Sequence, residues 1–219
     1  MATTRSVSMR RLPVYLLIDT SGSMRGEPLE AVRNGVQVLH STLRRDPYAL
    51  ELAYISVITF GAKVEQVAPL TEVYLFRPPE LVAGGGTLLG AALKKVAECA
   101  DREVKKTTPD EKGDWKPLVF IMTDGRPSGR EPVKMIAEFR KRSWGSVVAC
   151  GTDNADFQLL HKITETVVKL SLADSNAIAA FFKWVSASIA TSSKALDRVR
   201  NDDDPLGDLP PPPPEIILV

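Results

Sequence analysis

Cysteine and histidine are nearly missing from this sequence, with two of each in 219 residues. That scarcity excludes a disulfide framework and any metal site built from repeated Cys/His spacings. Cys99 and Cys150 sit in apolar settings, Val-Ala-Glu-Cys-Ala and Val-Val-Ala-Cys-Gly, and read as buried thiols. A charge excess of either sign is lacking too. Lys and Arg total 28 against 27 Asp and Glu, a net charge of +1. A nucleic-acid binder usually carries a marked basic excess, so none is expected here. No apolar run is long enough to span a bilayer. Residues 1–11 are polar and basic, and the apolar stretch from Leu12 to Ile18 stops at Asp19, so no signal peptide is read. The expectation is a soluble monomer of the cytoplasm, with no membrane and no nucleic acid among its partners. Apolar residues make up 44% of the chain, enough for one good-sized core.

The apolar residues alternate between two kinds of segment. Continuous runs at Pro13–Ile18 and Pro117–Met122 suit central strands buried on both faces. Leu29, Val32, Val36, Leu39 and Leu43 recur at spacings of three and four, the mark of an amphipathic helix with Pro28 in its first turn. Leu50–Phe60 and Ala62–Pro69 read as strands joined through Gly61 into a hairpin, the second one an antiparallel edge. Helices are expected over 88–104, 131–141, 157–162 and 176–190, and further strands over 146–150 and 166–170. The fold class is therefore α/β: a doubly wound, mostly parallel six-stranded sheet with one antiparallel edge strand and helices on both faces. The organisation is an N-terminal arm (1–11), one domain (12–191), and an acidic, proline-rich tail (192–219). The tail holds Asp202-Asp-Asp204, a solvated run, and five prolines from Pro210 to Pro214 that favour polyproline II. Its apolar end, Ile216 to Val219, is suited to adding to a sheet edge or filling a neighbour's groove.

Three polar segments interrupt this pattern: Asp19-Thr-Ser21-Gly-Ser23, Gly84-Gly-Gly-Thr87 and Thr123-Asp124-Gly125. Two of them end apolar strands and the third leads into a helix. Ligand sites of open α/β sheets lie at such carboxyl ends. Alternate residues leaving a strand can aim at one spot, and Gly22 lets the chain bend between the two serines. Asp19, Ser21, Ser23, Thr87 and Asp124 offer only carboxylate and hydroxyl oxygens. That donor set suits one hard divalent cation, Mg²⁺ first, with Mn²⁺ and Ca²⁺ compatible. It leaves a coordination position for a carboxylate from outside.

These motifs resemble the von Willebrand factor A domains. Ile18-Asp-Thr-Ser-Gly-Ser-Met24 is similar to that family's first signature, Gly-Gly-Gly-Thr87 to its threonine loop, and Ile-Met-Thr-Asp-Gly125 to its third loop. The resemblance covers roughly residues 12–190. It implies a metal-ion-dependent adhesion site, with Ser21, Ser23 and Thr87 as hydroxyl ligands and Asp19 and Asp124 close to the metal, partly through water. A protein partner would add an acidic side chain. Within the family, the opening Met-Arg-Arg-Leu-Pro-Val-Tyr-Leu-Leu-Ile-Asp-Thr-Ser-Gly-Ser-Met and the Gly-Gly-Gly-Thr-Leu-Leu-Gly-Ala-Ala-Leu stretch resemble short bacterial proteins of the TerY type, linked to tellurite-resistance gene clusters. That likeness implies a cytoplasmic scaffold working with a kinase and a phosphatase in a stress response.

Other readings of the same residues are weaker. The glycine loop lacks the Lys-Ser/Thr of a phosphate-binding loop. A phosphatase of the haloacid-dehalogenase kind needs a second acid two residues after the first, and that position is Ser21. A serine nucleophile needs a base, and neither His40 nor His161 is near the loops in sequence. No enzyme is expected; a metal-dependent hydrolase, or a structural subunit with a stabilising metal, is the alternative. Asp153 and Asp156 read as loop caps. Arg25, Glu27 and Arg126 stand beside the loops as candidate partner contacts.

Overall fold

A computed structural model of the chain describes residues 10–127, 132–152, 154–170, 175–198 and 209–219. Among them the chain forms seven strands: β1 (Leu12–Asp19), β2 (Ala53–Phe60), β3 (Val64–Glu72), β4 (Leu118–Thr123), β5 (Ser146–Thr152), β6 (Thr166–Leu170) and β7 (Ile217–Leu218). The helices are α1 (Glu27–Leu43), α2 (Pro47–Leu52), α3 (Leu89–Glu103), α4 (Pro132–Arg140), α5 (Phe157–Ile163) and α6 (Ser175–Arg198). The strands form one sheet in the order β3-β2-β1-β4-β5-β6-β7. β1, β2, β4, β5 and β6 run parallel, while β3 and β7 are antiparallel to their neighbours.

β1 lies at the centre, and all eight of its residues are buried. Its side chains alternate between two cores, as a strand's period of two requires. Leu12, Val14, Leu16 and Ile18 join α1, α2 and α6 on one face. Tyr15 and Leu17 join α3, α4 and α5 on the other. α1 and α6 approach closely because position 35 is glycine: a Cβ there would stand 2.1 Å from the Phe182 ring. His40 serves this face as well. Its Nε2 is 3.1 Å from the Val73 carbonyl and its ring meets Phe76 edge-on, and burial holds its pKa below the usual value.

The strand count differs from the six read in the sequence, and a second edge is antiparallel. The seventh strand is only two residues long, too short for an alternating pattern to reveal. It belongs to a strap, residues 209–219, laid along α6 and β6. Trp184 Nε1 donates to the Pro210 carbonyl at 2.7 Å, Ile216 is buried, and Val219 N donates to Val167 O at 3.1 Å. The apolar end thus adds to a sheet edge of its own chain. A short helix, α2, also replaces the start of the expected strand over 50–60. Asp46-Pro47 ends one helix but begins another: Asp46 accepts from Ala49 N at 2.8 Å and Pro47 takes the first helical position. Residues 50–52 are therefore helical, and the strand starts at Ala53.

Of the residues before the sheet, Arg10 and Arg11 are described. Arg10 stacks over Trp115, 3.5 Å from the ring centre, and donates to the Gly113 carbonyl. Arg11 pairs with Asp114 at the amino end of the sheet. The run Asp202–Asp204 and Asp153 lie outside the described residues. Asp156 caps α5 by accepting from Leu159 N. Cys99 and Cys150 are free and buried, and burial pushes the Cys150 thiol far up, which leaves it inert. Among the described residues no helix is long and apolar enough to cross a membrane.

Candidate metal centre

The three polar segments meet at the carboxyl edge of the sheet, where β1 and its neighbours β2 and β4 end. Asp19 is the last residue of β1 and Asp124 follows the last residue of β4. Both are buried, Asp19 fully and Asp124 to 2% exposure. After Asp19 the chain turns sharply. Ser21 N donates back to Asp19 Oδ1 at 2.8 Å, and Gly22–Met24 form a 3-10 turn pinned by the buried Met24. Gly26, at φ 88°, then admits the chain to α1. Ser21 Oγ lies 3.0 Å from Ser23 Oγ and donates to Asp124 Oδ1 at 3.2 Å. Two of the loops are thus joined by a hydroxyl.

The glycine loop is stitched to the first. Gly84 N donates to Thr20 O at 2.8 Å and Gly22 N to Gly85 O at 2.9 Å. Gly85 has φ +75°, and a Cβ there would fall 2.3 Å from the Ala62 backbone, so only glycine fits. This stitching delivers the buried Thr87 to the third loop: the position a Cβ would take on Gly125 is 3.1 Å from Thr87 Oγ1. The structure brings all five expected residues into one place. Ser23 is the exposed member, and Arg25, Glu27 and Arg126 on the adjoining segments are exposed as well.

One further residue matters here. Thr123 Oγ1 donates to Asp19 Oδ2 at 2.6 Å, so both oxygens of Asp19 are held by donors from the chain. Its place as the last residue of an apolar strand was the available signal: a lone hydroxyl among buried apolar side chains needs a partner. Burial raises the Asp19 pKa, opposed by the bonds from Thr123 and Ser21, and nearby Asp124 raises it further.

A cation fits this arrangement. Two buried carboxylates stand close together, and among the described residues neither is paired with Lys or Arg. Buried charge of one sign is costly unless compensated. Among the described residues no group of three or more His, Cys, Asp or Glu gathers to hold a metal. A metal here therefore draws on hydroxyls and water besides its two carboxylates, a hard-cation donor set. His40 bonds Val73 and His161 is exposed in the last turn of α5, and among the described residues no hydrogen bond joins either imidazole to Ser21 or Ser23.

Comparison with known proteins agrees with this architecture. The von Willebrand factor type A from Catenulispora acidiphila superposes with a TM-score of 0.62 at 18% identity, covering 83% of this chain and 43% of that one. Mussel byssus proximal thread matrix protein 1, in a form with a zinc-occupied MIDAS motif (metal-ion-dependent adhesion site), gives 0.59 at 20% identity over 83% and 48%. The pilus adhesin SpaC of Lactobacillus rhamnosus GG, in its open conformation, gives 0.65 at 14% identity over 83% and 30%. The chain thus spans less than half the length of each of these structures. No curated protein sequence matches it. The model of the von Willebrand factor type A domain matches residues 14–183. Most of the chain lies within that span, and the protein belongs to the von Willebrand factor type A domain family.

Proposed function

We propose that this chain is a metal-dependent protein-binding module. The observation that carries the reading is the meeting of Asp19 and Asp124, buried and without a cationic side chain among the described residues, beside the hydroxyls of Ser21, Ser23 and Thr87. Those five residues would hold one divalent cation. When bound, the cation supplies positive charge at a solvent-facing edge, where a partner's Asp or Glu can complete its shell. The chain's own groups do the positioning. Thr123 and the Ser21 amide fix Asp19, Ser21 Oγ orients Asp124, and the Gly84–Thr20 and Gly22–Gly85 bonds set the height of Thr87. The mussel protein's zinc motif supports a metal at this place in the fold. The oxygen-only donors here favour Mg²⁺, with Mn²⁺ and Ca²⁺ next, over zinc.

The opening motif and the glycine-threonine stretch support a finer assignment. The chain is a cytoplasmic scaffold of the TerY type, serving a tellurite-linked stress response with a kinase and a phosphatase. Affinity purification from native cells tests both levels. Chelator and Asp19→Ala should each release the same captured proteins. Capture unchanged by either treatment would sink the metal-dependent reading. Release of partners that include no kinase or phosphatase would sink only the finer one.

A further inference from the structure

The loop that carries Thr87 has a second side. Before reaching the site, Ala83 and Gly84 wall a cavity of about 390 Å³ between that loop and the turn joining β2 to β3. Thr20 lines it too, and Thr20 lies between Asp19 and Ser21. One stretch of backbone therefore separates the cavity from the site. That partition is tightly built. A Cβ on Gly61 would stand 2.6 Å from Gly84 O and 2.7 Å from Thr20 O, and Gly84 N is bonded to Thr20 O.

The lining has a definite chemistry. Val67, Val82 and Ala83 make it apolar, and Val82 is 72% exposed, the most of any large apolar side chain among the described residues. Three charges stand at the rim. Lys63 and Glu65 neutralise each other at 2.5 Å, whereas Glu80 is exposed and has no cationic partner among the described residues. An apolar wall ending at a lone carboxylate is complementary to a long basic side chain, whose methylene stem lies on apolar surface while its head stays at the water. A second carboxylate would be repelled there, and a purely aliphatic residue would leave Glu80 without a partner.

We infer that this cavity seats a lysine or arginine of the protein partner, a short distance along its chain from the acid that reaches the cation. The inference rests on the metal-dependent reading. It names the partner's surface as a basic residue near an acidic one, gripped on two sides of a single loop. Glu80 is then a specificity residue, and the site's oxygens are left alone.

A peptide array in magnesium buffer tests this with the full chain. Each peptide carries one central aspartate, and Lys, Arg, Leu or Glu is walked through the flanking positions. Capture should need the aspartate and be lost on chelation. At one flanking register Lys or Arg should raise capture about tenfold over Leu, the effect of one well-placed charge pair. Glu80→Lys, a surface change, should reverse the preference to Glu at that register and leave the peptide without a flanking charge bound as before. Leu preferred over Lys at every register, or a preference unmoved by Glu80→Lys, overturns the inference and leaves the metal reading standing. Capture indifferent to chelator and to Asp19→Ala overturns the metal reading, and the Glu80→Lys reversal then decides the cavity by itself. Absence of capture from every peptide overturns both.

Discussion

Asp114 and Asp124 stand at opposite ends of one strand, β4, and both are withdrawn from water. The side chain of Asp114 is 2% exposed, and Asp124 as a whole residue is 2% exposed. At the amino end the protein supplies its own cation. Arg11 grips Asp114 with two nitrogens at 2.5 and 2.9 Å, and Lys105 N adds a third bond at 2.7 Å. The pairing raises the Arg11 pKa further above its ordinary value. At the carboxyl end Asp124 receives a serine hydroxyl at 3.2 Å and has Asp19 as a neighbour. Both carboxylates are withdrawn, but among the described residues only Asp114 is paired with a cation of the chain; under the proposed reading Asp124 is kept for an external one.

The largest test of this contrast removes the cation at the finished end. Arg11→Ala should cost on the order of 3 kcal/mol in urea unfolding, the low end for a broken buried pair because Arg11 is partly exposed. Added magnesium should leave that loss in place. At the other end, magnesium at a hundredfold its dissociation constant should raise wild-type stability by about 2.7 kcal/mol. Asp124→Asn should abolish that rise, yet be neutral or stabilising in chelator. If Asp124→Asn in chelator destabilises as much as Arg11→Ala, the two ends do not differ and the contrast is broken. Thr123→Val should then sharpen it. Loss of the donor to Asp19 Oδ2 should cost about 1 kcal/mol without metal, and titration calorimetry should find cation affinity down about tenfold.

The smallest effect is a control on an exposed pair. Arg142 holds the Asp101 carboxyl below its ordinary value through a hydrogen bond. Arg142→Ala should cost only about 0.5 kcal/mol near neutral pH. A depressed carboxyl contributes stability above its unfolded pKa and loses it as pH falls through the folded one. Wild type and variant should therefore converge in acid, once pH drops well below the ordinary value of 3.8.

Much of this was legible in the residues. The apolar runs at Pro13–Ile18 and Pro117–Met122 have no polar face, so only central strands suit them, and the loops that end them had to share an edge. What escaped did so for physical reasons. Asp46-Pro47 is both a stop and a start signal, and only the described packing shows that it does both. Ile217–Leu218 is too short to carry a period, and its pairing with β6 is a tertiary contact with no local trace. Thr123 looks like the polar edge of a strand until Asp19 Oδ2 is found 2.6 Å away. The cavity beside Glu80 joins β3, the β2–β3 turn and the loop after it, and no spacing in the chain announces it.

The centrality of β1 has one more consequence. Asp19 meets Thr123 across 104 positions, and Ser21 meets Asp124 across 103. Contacts so remote in sequence form late, since long loops must close first. A chain still emerging from the ribosome lacks Asp124 and the Thr123 donor until β4 has been made and has taken its place beside β1. Under the proposed reading the cation is thus a passenger on a finished fold. Refolding rates should be indifferent to its concentration, and the stability it adds should appear wholly as slower unfolding.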